Sequence, residues 1–176
     1  MLFRSAAPLI IVAALHQPSV QVRVWSLIHQ AVEKHWGHVN TAGFSYRVMD
    51  SSFYVGRAAI DQMTAADAGR YLLRSVWAYV TVPLPWALET PSALAFLPEQ
   101  VVWYLLLLAA PFGVATAFRR DRLVASLMCA HCASAALIVA VSGGNVGTLV
   151  RHRGLALPYL VRFASLGLVT LAARCI

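Results

Sequence analysis

Within a chain of 176 residues, the run Gly143-Gly144-Asn145-Val146-Gly147-Thr148-Leu149-Val150-Arg151-His152-Arg153-Gly154 gathers the residue types that bind phosphate. Glycines let a backbone approach a ligand closely, and Asn145 and Thr148 add hydrogen-bonding side chains. Arg151 and Arg153 carry planar donor forks that match phosphate oxygens, with His152 between them. Arg162 lies one turn into the helix that Pro158 opens, placed to snorkel back toward Arg151 and Arg153. The expectation is a lipid-phosphate or diphosphate site built from Arg151, Arg153, Arg162, His152, Asn145 and Thr148. The competing reading is a solvated basic turn that only touches lipid headgroups. Arg162 argues for more than that, because an ionisable residue inside a membrane span is usually paired or functional.

The remaining polar residues are less specific. Cys129-Ala130-His131-Cys132 has metal or redox spelling, but it falls midway along an apolar stretch with no second ligand pair. Small, soft residues packing between helices account for it, and no metal is assigned. Tyr46, Arg47, Asp50 and Tyr54 lie close together, and an Asp50–Arg47 ion pair is expected to be buried and structural. His35 and His38 flank Trp36-Gly37 without a carboxylate partner. Glu99 stands where it favours the positive end of a helix dipole, as a capping residue. Nothing pairs a nucleophile with a base, and no Gly-Lys phosphate loop is present, so no catalytic residue and no cofactor are assigned.

The elements that must position these residues are mostly apolar. Val101–Phe118, Leu123–Ser142 and Gly154–Ala173 are each about 18–20 residues long, enough to cross a hydrocarbon core of about 30 Å. The hydrophobic fraction is 60%, the charged fraction 12% and the mean hydropathy +0.68, outside the range of soluble domains. The net charge of +7 comes with no polybasic run or nucleic-acid motif, so anionic headgroups or lipid-linked phosphates are the expected partners and nucleic acid is not.

Upstream, Ala6–Leu15 is a short apolar segment after Arg4, too short to span and of the length of a signal-peptide core; a membrane-embedded stump is favoured. Val24, Leu27, Ile28, Ala31, Val32 and His35 make a helical stripe that ends at Gly37, and 38–54 read as a folded loop. Thr64-Ala65-Ala66-Asp67 has the form of a capping box. The helix after it carries Ala68, Tyr71, Leu72, Ser75, Val76, Tyr79 and Val80 on one face, with Arg70 and Arg74 off it. Pro83 and Pro85 stop it, and Pro83-Leu84-Pro85-Trp86 would anchor it at headgroup level.

If this helix does not cross, Arg4, the Arg119–Arg122 linker and Arg174 share the cytoplasmic side. Six of the seven acids then lie opposite, in keeping with the positive-inside tendency; if it crosses, that agreement weakens. The fold class is therefore all-α integral membrane, with three C-terminal transmembrane helices, a short N-terminal apolar helix and an interfacial amphipathic helix. Residues 1–16 form the apolar segment, 17–100 an extracytoplasmic region and 101–176 the transmembrane hairpins.

Three groups of residues, Val82-Pro83-Leu84-Pro85-Trp86, Leu97-Pro98-Glu99-Gln100 with Trp103-Tyr104, and Gly144–Thr148 with Arg151–Arg153 and Pro158, resemble the C-terminal half of bacterial polytopic glycosyltransferase-like membrane proteins. These are related to the dolichyl-phosphate-mannose and lipid A arabinosyl transferases, and the resemblance covers residues 45–170. It implies sugar transfer from a polyprenyl-phosphate donor at the extracytoplasmic face of a multi-pass bacterial inner-membrane protein, in cell-envelope polysaccharide synthesis. It also implies a C-terminal fragment or shortened relative, because the family's catalytic carboxylate motif after a first span has no counterpart here. The alternative is a non-enzymatic membrane scaffold or assembly subunit that docks a protein partner through 18–70.

Overall fold

The computed structural model describes residues 16–41, 44–84 and 94–175. The apolar segment Ala6–Leu15, together with Pro85, Trp86 and Glu89, lies outside the described residues. The described elements are helical: α1 (Pro18–Val39), a 3-10 turn (Ser51–Tyr54), α2 (Ala58–Asp61), α3 (Ala65–Thr81), α4 (Leu97–Arg120), α5 (Arg122–Ser142), α6 (Val146–His152), a 3-10 turn (Arg153–Leu155) and α7 (Leu157–Cys175).

Helix α1 runs through Gly37 rather than stopping there. Asn40 closes it, its backbone N–H and Nδ2 both donating to Trp36 O. The extra turn carries His38 and Val39 onto the turn after α5, a packing gain that outweighs the weak helix propensity of one glycine. The buried stripe is Val32, His35 and Val39, with Trp25 and Ile28 half-buried behind them, while Val24 and Leu27 face outward. The capping box opens α3 as expected: Asp67 N–H donates to Thr64 Oγ1 and Thr64 N–H to Asp67 Oδ2, both at 3.2 Å. Helix α3 buries Ala68, Tyr71, Ser75, Ala78 and Tyr79, leaving Leu73, Val76 and Trp77 exposed.

Among the described residues two helices, α4 and α5, are long and apolar enough to cross a membrane. The third expected span is bent: the α6 segment and α7 meet at 64°, giving a broken span or a re-entrant loop, so the count is two or three. At 17 residues α3 is not among them. Only 22% of the most apolar stretch of α4 and 17% of that of α5 is buried by other protein, so most of this surface needs an apolar surround.

Helix α5 returns along α4, bringing Val139 and Ala140 into one cluster with Trp103 and Ala110. Helix α7 runs parallel to α4 at backbone contact. A Cβ on Gly113 would lie 1.7 Å from Phe163 O, one on Gly167 2.4 Å from Ala109 O, and Thr116 Oγ1 donates to Thr170 Oγ1 at 3.3 Å. Small residues permit this approach where no water is available to drive helices together.

Gly113→Ala is therefore expected to force α4 and α7 apart, lowering stability by about 1–3 kcal/mol as an overpacking substitution does. Thermal unfolding in detergent checks this, with Gly154→Ala as the control because nothing lies within 4 Å of its Cβ position.

Candidate functional site

Helix α5 ends at Ser142, leaving its last carbonyls without partners inside the helix. Side chains from three other segments supply donors. Tyr71 Oη on α3 donates to Val141 O, His38 Nδ1 on α1 to Ser142 O at 3.0 Å, and Tyr46 Oη to Gly143 O at 2.8 Å. His35 Nδ1 donates to the same Gly143 carbonyl. A carbonyl only accepts, so the proton sits on Nδ1 and Nε2 is left to accept from Tyr54 Oη at 3.0 Å. Tyr54 Oη in turn accepts from Val48 N–H at 3.1 Å and Met49 N–H at 3.2 Å. The imidazole, ringed by Tyr46, Tyr54 and Tyr71, is fully buried.

Burial holds the His35 pKa down at about 4, against an upward pull from the Gly143 hydrogen bond and a further downward push from His38. Burial likewise raises the Tyr46 and Tyr71 hydroxyls, which stay protonated and donating.

The first two glycines of the candidate phosphate loop, Gly143 and Gly144, face protein at close range. A Cβ on Gly144 would lie 2.6 Å from His35 O, and one on Gly143 2.9 Å from Val139 O. A short bridge joins Ser45 to Asn145, with Tyr46 N–H donating to Gly144 O at 3.0 Å and Val146 N–H to Phe44 O at 2.8 Å. Asn145 is the N-cap of α6, its Oδ1 accepting from Gly147 N–H at 2.9 Å and Thr148 N–H at 3.3 Å. Thr148 O accepts from His152 Nδ1 at 2.8 Å within the same helix.

A second helix end is closed in the same manner. The carbonyls at the end of α3 receive Trp103 Nε1 at Val80 (3.1 Å), and Gln100 Nε2 (3.3 Å) and Tyr104 Oη (2.8 Å) at Thr81. Arg153 completes the set. One terminal nitrogen, Nη2, donates to Tyr79 O at 2.6 Å and Val82 O at 2.5 Å, and the other, Nη1, to Gln100 Oε1 at 2.7 Å. Its guanidinium stands 4.5 Å from the Trp103 ring centre and 5.7 Å from that of Tyr79, and the residue is 2% exposed. No carboxylate among the described residues forms an ion pair with it. The negative end of the α3 dipole and two aromatic faces balance the charge instead.

The three arginines expected to converge are thus separated. Arg153 is enclosed in the core, and Arg151 and His152 are exposed on α6. Arg162 lines a groove of about 650 Å³ between α5 and α7, with Arg120 and Asp121 among its other residues. The Gly113–Gly167 and Thr116–Thr170 pairings set the register of α7 on α4 and place Arg162 at the height of Leu108, midway along α4. From there it does not join Arg151.

The Asp50–Arg47 expectation is corrected as well. Asp50 pairs with Arg74 at 3.4 Å in an exposed contact, and Arg47 stacks on the Tyr54 ring at 5.6 Å. Arg74 reaches Asp50 because it already donates to Val48 O, which brings its fork to the loop. Glu99 stands in the first turn of α4, where no side-chain hydrogen bond caps the helix. Cys132 Sγ lies 3.9 Å from Ala156 O and His131 packs on Tyr159, a helix-packing arrangement for the Cys-x-x-Cys stretch. The described residues contain no group of three or more metal-ligating side chains.

The sequence does not single out Tyr71, Gln100, Trp103 and Tyr104 for these sites. Tyr71 is visible as one of the aromatic residues on the apolar face of α3, and Gln100, Trp103 and Tyr104 as polar and aromatic residues at i, i+3 and i+4 on the opening turns of α4. Comparison with known proteins adds no relative: no family model, curated protein or solved structure matches the chain.

Two outcomes follow from these contacts. Unfolded His35 takes up its proton as pH falls through 6.5, while the folded residue stays neutral to about 4. The stabilisation is therefore complete above pH 6.5, declines between 6.5 and 4, and is level below that. It amounts to roughly 3 kcal/mol across the window. His35→Gln should flatten this part of the melting-temperature profile relative to the parent. Arg153→Gln removes donors from two buried carbonyls and from Gln100, and should cost roughly 3 kcal/mol. Arg151→Gln, exposed on the adjacent helix, should leave thermal unfolding unchanged.

Proposed function

We propose that the chain is a membrane-embedded, non-enzymatic scaffold or assembly subunit of a multi-pass protein system in a bacterial inner membrane. In this reading α4 and α5 cross the bilayer and the bent α6–α7 unit forms a third, broken span. Helices α1–α3 make a cap on one membrane face, with α3 lying at headgroup level and its exposed Leu73, Val76 and Trp77 turned to lipid. One observation carries the reading: among the described residues, the buried His35, Gln100 and Arg153 bond carbonyls at helix ends rather than gathering around a cleft, and the buried Ser75 does not. A network of that kind fixes the relative placement of helices.

A second reading, transfer of sugar from a polyprenyl-phosphate donor by a glycosyltransferase-like protein, draws on the resemblance and on the exposure of Arg151 and His152 beside the bend. Arg151→Gln should then weaken retention of polyprenyl phosphate in reconstituted membranes. Unchanged retention removes that reading.

The assembly reading is tested in native membranes. The chain should resist alkaline extraction and migrate, after mild solubilisation, in a complex heavier than its own 19.1 kDa accounts for. Alkaline release, or migration as a lone monomer, overturns it. In intact cells a cysteine at position 148 should be labelled from the extracytoplasmic side, and labelling from the cytosolic side alone would invert the proposed orientation.

A further inference from the structure

Arg162 is an exposed guanidinium on the second turn of α7, a largely apolar helix, level with the middle of α4. The groove it lines runs between Pro158, Val161, Ser165 and Val169 on α7 and Val124 and Met128 on α5. Contacts of His131 with Tyr159 and of Cys132 with Ala156 O draw α5 and α7 together beyond the Pro158 end. The other end opens at Arg120 and Asp121. Among the described residues no acceptor or carboxylate meets the Arg162 guanidinium. Asp121 stands at the far end of the groove, where its Oδ1 accepts from the N–H groups of Leu123 and Val124.

Depth decides which anion completes this site. Arg162 is level with the middle of α4, and in the membrane placement proposed above the phosphate plane is roughly 15 Å away, half of a core about 30 Å thick. That exceeds the reach of an arginine side chain, so a lipid phosphate is a poor partner. A mid-depth carboxylate on another helix is a good one, since ionisable residues inside membranes pair with one another at helix interfaces. A second copy of this chain does not supply it. Its seven acids are Glu33, Asp50, Asp61, Asp67, Glu89, Glu99 and Asp121, and none falls in the interior of α4, α5 or α7.

We infer that the α5–α7 groove is the docking site for a transmembrane helix of a different protein, an apolar helix carrying one Asp or Glu near its midpoint that pairs with Arg162. The inference rests on the assembly reading and names the chemistry of the partner. The small side chain of Ser165, exposed on the groove beside Arg162, leaves room for a helix backbone to approach the guanidinium.

The probe is a pair of labelled synthetic helices, a Leu/Ala 20-mer with a central Asp and the same 20-mer with Leu in its place. Each is co-reconstituted with the full chain in phosphatidylcholine vesicles and followed by energy transfer. The Asp helix should associate about tenfold more tightly than the Leu helix. Arg162→Leu should abolish that preference, and Arg162→Glu should transfer it to a 20-mer with a central Lys. Loss of preference in a variant counts only if its melting temperature matches the parent, and the Glu–Lys exchange is the check that survives a folding defect in the Leu variant.

No Asp preference in the parent, or a preference that persists in Arg162→Leu, overturns the inference. So does Arg162-dependent self-association, or stabilisation by phosphatidylglycerol that requires Arg162. The two levels remain separable. A native complex that survives Arg162→Leu sinks the docking site but leaves the assembly reading standing, whereas a parent chain that forms no complex sinks the assembly reading first.

Discussion

Backbone carbonyls at helix ends set the constraints that the rest of this structure obeys. A helix leaves its last carbonyls unpaired, and away from water each unpaired group costs free energy on the scale of a lost hydrogen bond. At the α5 terminus Tyr71, His38, Tyr46 and His35 answer that demand, and at the α3 terminus Arg153, Trp103, Gln100 and Tyr104 do so. Each donor lies far from its acceptor in sequence, so satisfying the carbonyls also fixes which helices are neighbours. The cap of α1–α3 is tied to the apolar helices by hydrogen bonds first, with the clusters around Tyr71 and Tyr79 filling in behind them.

The same demand accounts for a neutral histidine in a fully enclosed position. His35 joins a carbonyl that needs a donor to a tyrosine hydroxyl that needs an acceptor, and only the Nδ1–H tautomer meets both requirements. A second proton would set two donors against each other at Nε2, because the Tyr54 oxygen already accepts from two backbone N–H groups. Desolvation and hydrogen-bond direction therefore act together on this ring.

How much of this was legible depended on the kind of signal. Long apolar runs announced α4 and α5, because length and hydropathy are local properties, and the Thr64–Asp67 box announced the start of α3. The end of α1 was misplaced at Gly37, since what extends the helix is the fit of Val39 and His38 against Gly144 and Ser142, about a hundred residues away. In the Gly143–Gly154 run, Gly144 admits the backbone of α1 and Asn145 caps a helix. A sequence cannot distinguish a glycine that admits a ligand from one that admits another segment of the same chain. Gln100, Trp103 and Tyr104 were visible only as polar and aromatic residues on the first turns of an apolar helix, a pattern that equally describes an interfacial belt.

The arginines make the general point, because one residue type meets three fates within twelve positions. Arg151 stays on the surface of α6 with nothing to balance it but solvent or headgroups. Arg153 enters the core because the end of α3 offers it carbonyls and two aromatic faces, so its charge is neutralised by dipoles without a counter-ion. Arg162 has neither remedy. The carbonyls of its own turns are bonded within the helix, the near end of α7 at Leu157 presents N–H groups, and the free carbonyls lie at the far end. Dipoles can stabilise a guanidinium only where backbone is left unpaired, and the middle of a regular helix has none to spare. The charge left unbalanced among the described residues is thus the one that most strongly calls for a partner outside them.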